Sequence, residues 1–214
     1  MLASAFLFDL DGTLIDSERQ NAESIARVLG ARGRPLSEEE RVFVVGHGWR
    51  EIYHYLAERG IDLGFDELKS AAAEERVALA EVEGLAVLPG AVEFVRTAAR
   101  HGPCVIVSGS SRREVGYCIG KLGLDGAIPW FIAAEDVSCG KPAPDGYLAA
   151  AARLAVAPRD CIVFEDSAAG IAAAKAAGMR CVAVSAANFL GQDQAGADFC
   201  VAHLGELGDR LWGG

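Results

Sequence analysis

From residue 90 onward, short apolar runs alternate with stretches of helical periodicity, and this alternation limits the fold more than any other feature. Residues 104–107, 130–133, 161–164 and 180–184 are mostly apolar and of strand length. Between them, 91–100, 113–122, 145–154 and 169–177 carry helical spacing, with stop signals at His101-Gly102-Pro103 and at Gly178. Strands joined through helices make βαβ units. The pattern therefore predicts a mostly parallel, Rossmann-like α/β sheet with helices on both faces. Residues 199–201 are expected as an edge strand and 204–211 as a terminal helix.

One more apolar run, residues 5–8, opens the chain and ends in two carboxylates, Asp9 and Asp11. Two residues apart, both would face the same way if the strand continued. Gly12-Thr13 then turns the backbone. Open α/β sheets bind their ligands at the carboxyl ends of strands, where this pair would lie. Crowded carboxylates repel, and a hard cation or a shared proton relieves them. Both suit phosphate chemistry: one carboxylate attacks phosphorus and a protonated one serves the leaving group. Taken alone, Asp-Gly suits a solvated turn or a helix cap equally well.

Three other strand ends carry polar residues. Ser108-Gly109-Ser110 follows 105–107; a hydroxyl and close-approaching N–H groups suit phosphate oxygens, although Ser110 or Ser111 also suits a helix cap. Lys141, between Gly140 and Pro142, is held in a stiff loop where it can neutralise a phosphoryl group and a nearby carboxylate. Glu165-Asp166-Ser167 closes 162–164 and again offers hard oxygen ligands, or a cap for the next helix.

Residues 17–86 differ in kind. Stripes at Ala22, Ile25, Ala26 and Leu29, at Trp49, Ile52, Tyr53 and Leu56, and at Leu68, Ala72, Leu79 and Val82 mark amphipathic helices. Gly30 and Gly60 read as terminators, Ser37 and Glu40 have capping-box spacing, and Asp66 is an expected cap. Four helical segments with short connections make a small bundle. We read them as a cap domain inserted into a core formed by 1–16 and 87–214. In the cap, the loop Gly46-His47-Gly48-Trp49-Arg50 is the best candidate for choosing a substrate. Trp49 suits the cap's own core equally well, and Arg50 a solvated face.

The composition excludes several classes. Hydrophobic residues make up 51% of the 214 and charged residues 23%, enough for a sizeable core. The net charge is -10, and no basic run offers a footprint for nucleic acid. No apolar run approaches the roughly 20 residues of a membrane span. Six scattered cysteines without a CxxC pair read as reduced thiols, and the N-terminus lacks a basic signal-peptide region. A cytoplasmic protein, monomeric or a small homo-oligomer, is expected.

The ordered set of strand ends resembles the motifs of the haloacid dehalogenase-like superfamily. DxDGT spans 9–13, the strand-end serine is 108, the lysine is 141 in Gly-Lys-Pro-Ala-Pro-Asp, and Glu165-Asp166 opens EDSxxGIxAAxxAGM. The helical insert is similar to the family's C1 cap. The wording DGTLIDSE and GKPAPD resembles the subgroup of β-phosphoglucomutase and sugar-phosphate phosphatases. The resemblance implies that Asp9 is the nucleophile and Asp11 the acid/base. It implies Mg²⁺ held by Asp9, the Asp11 carbonyl and Asp166, with Glu165 adjacent or reaching the ion through water, and a phosphoryl group held by Ser108, Gly109 and Lys141. Asn21, His47, Trp49 and Arg50 become the cap's candidates for contact with a small phosphorylated metabolite. Asp11 argues against dehalogenase and phosphonatase chemistry. Asn21 stands where the mutase pattern has histidine, which favours a phosphohydrolase over a mutase, and the presence of every motif residue favours it over a non-catalytic binding protein.

Overall fold

The computed structural model describes residues 3–45, 47–188 and 191–208. In chain order the elements are β1 (Ala5–Phe8), α1 (Glu18–Ala31), α2 (Glu38–Phe43), α3 (Trp49–Ala57), α4 (Phe65–Glu83), α5 (Ala91–His101), β2 (Cys104–Val107), α6 (Arg112–Leu122), β3 (Phe131–Ile132), α7 (Asp145–Leu154), β4 (Cys161–Glu165), α8 (Ala168–Ala176), β5 (Arg180–Val184) and β6 (Phe199–Val201). The chain forms two compact units. One is Met1–Asp16 with Ala86–Gly214, the other Ser17–Leu85.

The first unit is an α/β domain around a parallel sheet ordered β3-β2-β1-β4-β5-β6. The chain builds β2 and β3 to one side of β1 and then β4 to β6 to the other. That reversal leaves a crevice at the carboxyl ends of β1 and β4. Phe8 pairs with Ile106 on one side and Phe164 on the other, so the three central strands end level.

Both sheet faces are buried, which explains why the strands show no polar alternation. On one face the rings of Phe8 and Phe164 stack at 4.7 Å, and Phe94 of α5 meets them edge-on at 6.2 and 5.1 Å. Such contacts add about 0.5–1.5 kcal/mol each beyond the area buried. On the other face Leu7, Val105 and Val163 pack with Tyr147, Ala150 and Ala151 of α7 and Ile171 and Ala174 of α8. No disulfide forms among the described residues, and burial pushes the Cys104 thiol up to about 12. Around β3 the strand is shorter than the run 130–133, because only Phe131 and Ile132 pair with β2. Of the expected helix 204–211, the described part is a single 3-10 turn at Leu204–Glu206, and 209–211 lie outside the described residues.

The second unit is helical. Ile25, Leu29, Ile52, Leu56, Leu68 and Ala72 form its core. The capping box at α2 forms as its spacing predicts: the Glu40 N–H donates to Ser37 Oγ and the Ser37 N–H to Glu40 Oε2. Glu40 also takes both Arg34 nitrogens at 2.8 and 2.5 Å, and that guanidinium holds its carboxyl below the usual range. Three expectations change. Gly33, not Gly30, takes the left-handed conformation after α1. Gly64 precedes α4 and Asp66 lies in its first turn, where a carboxylate still complements the helix dipole. Val82 is 87% exposed, because the last turn of α4 runs past Ala80, its final buried residue. No described helix is long and apolar enough to cross a membrane.

Candidate active site

β1 ends at Phe8, before the aspartates and not after them. The Asp9 N–H still donates to the Phe164 carbonyl at 2.9 Å, which keeps Asp9 in step with β4. The chain then turns, with the Leu14 and Ile15 N–H groups both donating to the Leu10 carbonyl at 2.9 and 3.1 Å. Gly12 takes φ +85°, and a Cβ there would run into the Asp166 carboxylate. Glycine is required on both counts. With the strand ended, Asp9 and Asp11 no longer share a strand face, and their carboxyls find different partners.

Asp9 meets Lys141. The ammonium donates to Asp9 Oδ1 at 2.5 Å and to Glu165 Oε1 at 2.5 Å. It sits 5.2 Å from the centre of the Tyr147 ring, whose hydroxyl donates to Glu165 Oε1 at 3.1 Å. Burial alone would drive the proton off Lys141, but Asp9 and Glu165 hold its pKa well above that of free lysine. The lysine is therefore a fixed cation, unlike one waving on a surface helix.

Glu165 is fully buried and serves as a junction. Its Oε2 accepts the N–H groups of Asp166 and Ser167 and the Ser167 hydroxyl, at 2.9, 3.0 and 3.0 Å. Ser167 in turn caps α8 by accepting the Gly170 N–H at 3.0 Å. A Cβ on Gly170 would overlap the Glu165 carboxyl group. Helix propensity favours alanine over glycine by about 1 kcal/mol. The overlap should reverse that sign. Gly170→Ala is expected to destabilise the protein by about 1–3 kcal/mol and to displace Lys141 through Glu165, lowering activity at least tenfold. Urea unfolding with an activity assay checks this; a stabilised, active variant would show that Glu165 is not confined as described.

Asp9, Glu165 and Asp166 each place a carboxylate oxygen within 4.8 Å of the others. One lysine cannot balance three such charges. Burial first, then repulsion from Glu165 and Asp11, lifts Asp9 to about 8 against the pull of Lys141. Burial first, then repulsion from Glu165 and Asp9, lifts Asp166 to about 9. Hard oxygens crowded around a partly buried point, taking up protons when no cation is there, fit a small dication. The sign of the pH effect follows. Unfolded, both groups lose their protons near 3.8; folded and metal-free, they keep them until about 8 and 9. Their contribution to stability is fully present in acid and is lost as pH rises through those values. A dication competes with the protons, so its effect runs the other way. The melting temperature in EDTA should fall from about pH 6 to about pH 9, and the increase on adding Mg²⁺ should be larger at the higher pH. Equal increases at both ends would contradict the carboxylate assignment.

Ser108 is buried at the end of β2, and its N–H donates to the Ile132 carbonyl at 3.0 Å. Its hydroxyl accepts the Ser110 N–H at 3.0 Å. A Cβ on Gly109 would meet open space, so protein packing does not demand glycine there. Ser111 caps α6. The Ser110 hydroxyl reaches across to Asp11 Oδ2 at 2.5 Å.

In the helical unit, Gly46 lies outside the described residues. His47 stacks on Phe43 at 4.0 Å, with Nδ1 2.7 Å from the Phe43 carbonyl. Trp49 and Arg50 are not in a loop but begin α3, because the Gly48 N–H is capped by Glu51. Trp49 packs against the helical core, and exposed Arg50 lies 5.5 Å over the Phe65 ring. Asn21 is half-buried on α1. Three residues were not foreseen as part of the site: Ser110, Tyr147 and Gly170. The local signal was weak for each: a serine suited to capping, an aromatic on an apolar helix face, and a glycine one turn into a helix.

A parallel sheet whose central strands end in Asp9 and Glu165-Asp166, with Lys141 bridging Asp9 and Glu165, gathers its charged groups at the strand ends where α/β enzymes bind their ligands. The model of the haloacid dehalogenase-like hydrolases matches residues 3–178, and the chain belongs to that family. It is 36% identical over 182 residues to validoxylamine A 7'-phosphate phosphatase of Streptomyces hygroscopicus subsp. limoneus, covering 84% of each. It is 36% identical over 195 residues to hexitol phosphatase A of Escherichia coli, covering 87% of this chain and 85% of that one. Among solved structures, CbbY from Rhodobacter sphaeroides in complex with phosphate superposes with a TM-score of 0.85 at 27% identity, covering 97% of each chain.

Proposed function

We propose that this haloacid dehalogenase-like phosphatase, a phosphoric monoester hydrolase, removes phosphate from a small sugar or polyol phosphate through an aspartyl-phosphate at Asp9. The observation that carries the reading is the Lys141 ammonium bridging Asp9 and Glu165 at the ends of the central strands. A carboxylate paired with a fixed cation is held ready to attack and cannot drift away from the phosphoryl group. The relatives' names supply the substrate class.

Asp9 attacks phosphorus, the bond from phosphorus to the alcohol oxygen breaks, and Asp11 gives the departing alcohol a proton. Water then attacks phosphorus and returns a proton to Asp11. The bond to Asp9 breaks, and inorganic phosphate leaves. Lys141 and the Ser108 hydroxyl offset charge on the phosphoryl oxygens. Asp9, Asp166 and the Asp11 carbonyl, with Glu165 behind them, would hold Mg²⁺. Bound there, the ion supplies charge stabilisation to the phosphoryl oxygens. Glu165 acts chiefly by holding Lys141 and the first turn of α8. In the cap, His47 and Arg50 present polar groups suited to a polyhydroxyl substrate, whereas Trp49 anchors the start of α3.

The test is phosphate release from a panel of sugar and polyol phosphates, with Mg²⁺ and with EDTA. Steady release that stops in EDTA is expected, without a bisphosphate activator. Transfer of the phosphoryl group to another hydroxyl of the same sugar, with little release, would make the protein a mutase and remove the weight placed on Asn21.

A further inference from the structure

Three bonds lock Ser110 into the loop after β2. Its N–H donates to Ser108 Oγ at 3.0 Å, its carbonyl accepts the Ala134 N–H at 3.0 Å, and its hydroxyl donates to Asp11 Oδ2 at 2.5 Å. The last joins residues 99 apart in sequence. The first ties Ser110 to the strand-end serine placed on the phosphoryl group. The second ties it to the segment that follows β3, so two neighbouring strand ends fix the position of its hydroxyl. Asp11 itself sits in the turn after β1, where the regular strand no longer constrains it.

We infer that Ser110 is a positioning residue for Asp11. Its hydroxyl sets the rotation of the Asp11 carboxyl, so that the same group faces the departing alcohol in the first step and water in the second. The inference rests on the hydrolase reading above, since it gives Asp11 that double task. A side-chain carboxyl on a turn has a broad two-fold torsion, and a short bond from a fixed donor narrows it. Proton transfer in the transition state demands that alignment. Serine at 110 is not needed for the cap of α6, which Ser111 supplies.

The consequence depends on the leaving group. An alkyl ester needs a proton delivered to its alcohol, whereas p-nitrophenolate leaves without one. kcat/KM reports the steps up to loss of the alcohol; kcat also includes hydrolysis of the acyl phosphate, where Asp11 serves every substrate alike. For Ser110→Ala we expect kcat/KM on a hexitol phosphate to fall about tenfold to a hundredfold. On p-nitrophenyl phosphate kcat/KM should fall less than about threefold, with kcat and KM declining together. Ser110→Thr keeps a hydroxyl and should restore most of the difference. Melting curves of both variants should match the parent. Equal losses of kcat/KM on the two esters, or a threonine variant as impaired as the alanine one despite a normal melting curve, would overturn the role. If the parent protein hydrolysed neither ester, the hydrolase reading would fall first, and this inference with it.

Discussion

Asp9→Asn is expected to lower phosphate release by at least about 10⁴-fold while leaving the fold in place. The amide is too poor a nucleophile to open the reaction, and no neighbouring acid can stand in for it. Glu165 has both oxygens engaged by Lys141, Tyr147 and the start of α8. The Asp166 carboxylate packs against Gly12 in the turn that follows β1. Stability should move the other way from activity. Crowding and burial already raise Asp9 to about 8, so a neutral side chain of the same shape relieves repulsion. Without metal the variant should melt no lower than the parent, and above pH 8 slightly higher. A marked fall in melting temperature would mean that Asp9 is held mainly as a structural partner of Lys141.

Lys141→Met should produce the next largest loss, about 10²–10³-fold in kcat. It should also cost about 3–5 kcal/mol of metal-free stability, because Glu165 would remain buried without its cation. The side chain keeps its length, so packing over the Tyr147 ring is largely retained and the effect is electrostatic. Added Mg²⁺ should recover part of the stability, since a dication answers the same carboxylates, but not the activity. Lys141→Arg should not rescue it: the planar fork needs room and cannot sit as a point charge between Asp9 and Glu165. Denaturation with and without Mg²⁺, beside a kinetic assay, separates the two effects.

The residues that a sequence exposes best are those whose role is set by a strand end. Asp9, Ser108 and Glu165-Asp166 each terminate an apolar run, and parallel strands in register bring such ends together whatever the helices between them do. Lys141 was legible for a related reason, because a lysine between glycine and proline cannot belong to a helix. The alternation of short strands and helices likewise fixes the parallel sheet, since few other topologies bury every run on both faces.

What escaped was set by contacts across the chain. The Ser110 hydroxyl is one of several serines in a loop rich in them, and nothing nearby in sequence shows that it reaches Asp11. Tyr147 lies on an apolar helix face like any core aromatic; only the packing of α7 on the sheet brings its hydroxyl to Glu165. Gly170 looks like a tolerated glycine early in a helix until Glu165 folds back over it. The end of α4 failed differently. Val82 keeps the helical period of Leu68 and Leu79, but among the described residues no element of the helical unit covers it, and periodicity carries no information about the length of a partner.

An aspartyl-phosphate at Asp9 can be caught directly. Enzyme turning over a sugar phosphate with Mg²⁺ would be quenched in acid, reduced with borohydride, digested and sequenced by mass spectrometry. Borohydride converts an acyl phosphate to an alcohol and leaves free carboxylates alone. Homoserine is expected in place of aspartate at position 9, formed only when substrate is present and absent from Asp9→Asn. Reduction at Asp11, Glu165 or Asp166 instead, or none during active turnover, would contradict Asp9 as the nucleophile.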